Sequence, residues 1–146
     1  MKPLALVGIF LTCLISASVA PAQQQRMNVP KLADLMVSIQ LRHIKLWFAG
    51  KNQNWDLAGY EVGQIKGSLE DAADLYLDIP VRFVTDTSTP VHAIAIEAKD
   101  PTKFAKGFND LTASCNACHQ AIGRGFIAIQ VPTASPFSDQ SFTPKN

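Results

Sequence analysis

Cysteine is scarce: there are three in 146 residues, too few for a disulfide scaffold. Charge is scarce too, at 17% of residues, and 13 Lys and Arg nearly balance 12 Asp and Glu. That balance excludes a strongly basic nucleic-acid binder. Past the N-terminal segment, no apolar run approaches the ~20 residues of a membrane span. No phosphate-binding loop, nucleophile–base pair or paired carboxylates appear. What remains is a chain that is 47% apolar, too hydrophobic for disorder, and long enough for one ordinary domain with a modest core.

Met1-Lys2 followed by Leu4 to Ala17 has the short positive start and apolar stretch of a signal peptide. Ala20-Pro21-Ala22 supplies the small-x-small cleavage signal, and a cut after Ala22 avoids placing Pro21 directly after the scissile bond. A retained membrane anchor is the rival reading, for which the stretch is short. Cys13 lies inside the apolar run and follows Thr12, a poor fit for lipidation. The expectation is a signal peptide over 1–22, export to the periplasm, and no integral span after cleavage. Loss of Lys2 brings the basic residues level with the acidic ones, and only Cys115 and Cys118 then remain, in an oxidising compartment.

After a polar leader from Gln23 to Val29, the pattern turns helical. Leu32, Met36, Ile39, His43, Leu46 and Gly50 recur at alternating spacings of four and three, a seam that faces a partner helix. Gly50 to Asn54 interrupts it. A second helix is predicted from Trp55 to about Leu77, with Ala58, Val62, Ile65, Leu69, Ala72 and Tyr76 on its seam, stopped by Ile79-Pro80. Thr85 to Thr89 reads as a turn-rich connection. Pro90 to Ala98 alternates like a strand, yet a Thr89 cap with Pro90 in the first turn favours a short third helix. Asp100-Pro101 is a capped helix start, and Phe104, Phe108, Leu111, Cys115, Cys118 and Ile122 form the last seam before Gly123 and Gly125. The expected fold is all-α, an antiparallel four-helix bundle over 23–125 with an extended C-terminal tail over 126–146.

Cys115-Asn116-Ala117-Cys118-His119 is C-x-x-C-H, the attachment signature of c-type haem. Residues three and four apart share a helix face, so both thiols and the imidazole project the same way. Two thiols can add to the two vinyl groups of one porphyrin while the imidazole reaches the iron from the same side. Cys115 and Cys118 lie on the seam, which directs the porphyrin into the bundle core. A thiol-exchange motif would sit at a helix start beside a βαβ pattern, and zinc would need a fourth ligand; neither context is present. One covalent haem c is therefore the expected cofactor. In the common small cytochromes c the motif is near the N-terminus with a methionine downstream. Here Met1, Met27 and Met36 all precede it, so a methionine ligand must come from upstream.

With its signal peptide, four helices and C-x-x-C-H on the last helix, the chain resembles the class II cytochromes c, the cytochrome c-prime type, over about Pro30 to Gly123. The resemblance implies that the first helix supplies the residue over the open face of the iron. A methionine there gives a low-spin electron carrier; a non-ligating apolar residue gives a high-spin haem that binds small gases. It carries the proximal role to His119 and the distal role to Met36, with His43 as the alternative. Those two lie roughly 10 Å apart along the helix, so at most one sits over the iron. Their bland readings are a flexible core filler for Met36 and a satisfied core histidine for His43; His92 reads as a surface residue. Two departures stand out. Gly123 occupies the place where the family often has an arginine, with Arg124 one further on, and the tail is longer than such a chain needs. Phe126 to Ile129 and Phe137 are candidates to fold back over the haem edge or the bundle.

Basic residues gather early (Arg26, Lys31, Arg42, Lys45, Lys51) and acidic ones from Asp56 to Asp86. Such a two-signed surface can orient transient redox partners, although solvated helix faces explain it more simply. Trp47, Trp55 and Tyr60 read as helix-packing residues. The functional expectation is an exported monohaem cytochrome that carries single electrons and is not an enzyme, with a gas-binding haem protein as the alternative. Its expected partners are periplasmic redox proteins, and a homodimer is allowed.

Overall fold

The computed structural model describes residues 29–90 and 95–145; the predicted signal peptide, with Cys13, and His92 lie outside them. The fold is all-α. Among the described residues four α-helices follow in order: α1 (Leu32–Lys51), α2 (Trp55–Leu75), α3 (Arg82–Pro90) and α4 (Pro101–Ala121). No strand occurs among the described residues, and no helix there is long and apolar enough to cross a membrane. The contacts form a circuit: α1 packs on α2, α2 on α3, α3 on α4, and α4 returns to α1.

Each boundary has a local cause. The Asn54 side chain accepts from Leu57 N at 3.2 Å, capping α2. Asp100 accepts from Thr102 N and Lys103 N at 2.9 and 3.1 Å, and Pro101 follows where a helix needs no donor. The Lys103 amide, with the Thr102 amide behind it, holds the Asp100 carboxyl below its usual range. At its far end α4 closes on Gly123, whose φ of 69° suits a residue without a β-carbon. Gly123 N bonds Gln120 O, and Arg124 N bonds His119 O across a wider turn. This is the Schellman pattern, and it sets the direction in which the chain leaves the helix.

Of the short helix expected over Pro90–Ala98, residues 91–94 lie outside the described residues. Arg82–Pro90 is helical where a turn-rich connection was expected. Val81 and Val84, three apart and both buried, seat its first turn against the core, with Val84 N and Thr85 N bonded to Val81 O. Tertiary anchoring by two valines supports a helix that the local turn signals do not announce. Downstream, Ala95 and Ile96 are buried in a helical turn, not a strand, and Asp100 N reaches back five residues to Ala95 O.

The seams land where the spacing put them. Ile39, His43, Leu46 and Gly50 of α1 are buried, as are Ala58, Val62, Ile65, Leu69 and Ala72 of α2, and Phe104, Phe108 and Leu111 of α4. Full burial of each phenylalanine contributes roughly 1.5–3 kcal/mol. Trp47 stacks on Phe104 and tilts onto Phe108, while Trp55 meets Phe104 edge-on. A β-carbon on Gly50 would overlap the Phe104 ring, so the ring rests against bare α1 backbone. Tyr60 departs from its expected packing role: it is half exposed, beneath the Arg42 guanidinium. That guanidinium also bonds the buried Glu61 carboxylate at 3.1 Å, tying α1 to α2.

Residues 126–145 contain no helix or strand, yet they are docked. Phe142 is buried and faces Phe48 at 5.7 Å, Phe137 lies under the Lys45 ammonium, and Val131 packs on the core.

Candidate functional site

Between the first half of α1 and the last turns of α4, the helices part around a mainly apolar cavity of about 820 Å³. Met36 and His43 border it from α1, and Cys115 and His119 from α4. Ile79 and Pro80 form another wall, and Arg124, Ile127 and Ile129 close it from the segment after α4. A smaller hollow of about 50 Å³ is lined by Cys118 and again by Met36, Cys115 and His119. All five site residues named from the sequence thus converge on one region. The volume is that of a site for a sizeable organic ligand.

Both cysteines are free thiols. Burial, reinforced by the neighbouring Cys118, pushes the Cys115 thiol up to about 11, and burial also raises Cys118. Thiol-exchange and redox cysteines need the opposite, a thiol pushed down toward neutrality, so this environment does not suit that chemistry. No group of three or more His, Cys, Asp and Glu side chains gathers to hold a bare metal ion among the described residues. Zinc is therefore poorly served.

The two histidines are held in different ways. His119 Nδ1 lies 2.8 Å from Ile127 O. A carbonyl only accepts, so Nδ1 carries the proton and Nε2 keeps its lone pair, the state of a metal-ready imidazole. His43 Nε2 lies 2.8 Å from Thr112 Oγ1, whose own proton goes to Phe108 O at 2.8 Å. The hydroxyl must therefore accept, and His43 Nε2 donates. The His43 ring also lies 4.3 Å from the Phe108 ring, and burial lowers its pKa to about 4, so it is neutral. Its core role is satisfied without any ligand. Met36, partly buried between the two hollows, has no such commitment.

Residues 127–129 were expected as an apolar segment that could fold back over the haem edge or the bundle. The structure adds their backbone to the site: Ile127 O meets His119, and the Asn116 amide pairs with Ile129 in both directions, Nδ2 to O at 2.9 Å and N to Oδ1 at 2.7 Å. Asn116 is one of the two unspecified positions of C-x-x-C-H, and the motif does not mark it. Phe126, grouped with this segment, points elsewhere and is 80% exposed. No family model, curated protein or solved structure matches this chain.

Proposed function

We propose that the chain is an exported monohaem c-type cytochrome, a four-helix bundle with one covalent haem c in its core, which carries single electrons. One observation carries the reading: Cys115 and His119 of the C-x-x-C-H motif border an apolar cavity of about 820 Å³, Cys118 borders the smaller hollow that shares those two residues, and His119 is in the tautomer that leaves Nε2 free. The residues fit the group. Cys115 and Cys118 would hold the porphyrin through sulfur, and His119 would bind the iron on the proximal side. A porphyrin brings its own four nitrogen donors and needs no cluster of protein ligands.

When bound, the haem supplies reversible one-electron exchange. This chain's own residues set the conditions. Ile39, Ile79, Ile122 and Ile129 line the cavity and make it mainly apolar. The Ile127 carbonyl, by accepting from Nδ1, makes the His119 imidazole a stronger donor. Met36 is the favoured distal ligand, since His43 would have to abandon Thr112 to offer Nε2. The signal peptide, periplasmic location and periplasmic redox partners belong to the same proposal.

The test is an optical spectrum of the full chain from a host competent in haem maturation, with and without carbon monoxide. A low-spin spectrum, pigment retained in acidified organic solvent, and a change of ligation in Met36→Ala are the expected results. A high-spin resting spectrum with rapid carbon monoxide binding would favour the gas-binding alternative. Colourless protein, or pigment lost to the solvent, would overturn the haem reading itself.

A further inference from the structure

We propose that Asn116 is a positioning residue, whose side-chain amide clasps the segment after α4 and thereby fixes the imidazole of His119. The chain of contacts is short. Asn116 donates to Ile129 O and accepts from Ile129 N, as a neighbouring strand would. Two residues earlier, Ile127 O receives Nδ1–H of His119. Asn116 and His119 stand three apart on α4, so they share a face and act on one extended segment together.

The other end of the segment is set by the helix cap. Gly123 turns the chain, Arg124 N bonds His119 O, and Ile127 N bonds Arg124 O at 2.8 Å. Between this turn and Asn116, Ile127 is held from both sides. Without the clasp, only the turn would keep its carbonyl facing the imidazole. Ile127 and Ile129 also line the cavity, so one side chain both orients the imidazole and keeps a wall in place. The part of the inference that concerns the iron rests on the haem reading; the clasp itself does not.

The experiment measures amide hydrogen exchange on the full chain as purified, comparing Asn116→Ala and Asn116→Asp with the parent. Asn109→Ala, an exposed α4 residue that bonds only its own helix at Ala105 O, is the control. Exchange across 126–131 should rise roughly tenfold in Asn116→Ala, less in Asn116→Asp, which keeps the acceptor, and not at all in the control. Exchange in α2 should not change. In coloured protein, weaker donation by His119 should move the midpoint potential upward in Asn116→Ala alone. Unchanged exchange over 126–131, or an equal rise throughout α2, would overturn the clasp. An unchanged potential beside faster local exchange would overturn its positioning role. Colourless protein would defeat the haem reading and leave the exchange result to judge the clasp.

Discussion

At one end of the α1–α4 pair, bare backbone at Gly50 receives the Phe104 ring, and Trp47, Trp55 and Phe108 close around it. At the other end the same two helices border a cavity of about 820 Å³. Both ends carry the same alternation of fours and threes. Hydrophobic spacing reports which face turns inward; it is silent on whether the interior is filled. Residue type makes the distinction here. Aromatic rings fill the first end, while a methionine, a thiol, two imidazoles and isoleucines line the second.

That contrast yields graded tests. Phe104→Ala, which empties the filled end, should cost about 3–5 kcal/mol in urea unfolding. An equal stability loss at the hollow end would erase the distinction. At the junction between the two, His43 makes stability depend on pH. Its pKa falls from 6.5 to about 4 on folding, so the unfolded chain takes up a proton that the folded chain refuses. Stability should therefore decline as pH drops from about 6.5 toward 4, by roughly 3 kcal/mol in total. Above pH 7 this contribution is complete. His43→Gln should flatten the decline; an unaltered slope in unfolding titrations from pH 7.5 to 4.5 would show that other groups cause it.

A methyl added at the filled end should be resented. Gly50→Ala forces the Phe104 ring aside and should cost about 1–3 kcal/mol despite the better helix propensity of alanine. Met36→Ala should be the mildest of the series before any ligand is bound, below about 1 kcal/mol, because its side chain already borders open space. A cost like that of Phe104→Ala would mean that Met36 is packing, not a cavity wall.

Much of this was legible in the residues. The seams of α1, α2 and α4, the Asn54 interruption, the Asp100-Pro101 start and the Gly123 stop all act locally or through strong periodicity. The helix over Arg82–Pro90 went unread because it is short, and the two valines that seat it, Val81 and Val84, make no readable period. Cys115, Cys118 and His119 could be named because their spacing is their chemistry. The clasp could not: Ile127 and Ile129 contribute backbone atoms, which every residue type possesses. His43 was visible as a seam histidine, but its Thr112 partner sits 69 positions away and nothing in either neighbourhood links them.

The docked segment has a consequence for which changes the hollow can tolerate. Ile127 and Ile129 meet α4 through main-chain atoms, so their side chains can be exchanged without breaking the two hydrogen bonds to Asn116 or the one to His119. That wall can be recut one residue at a time while the imidazole stays tethered.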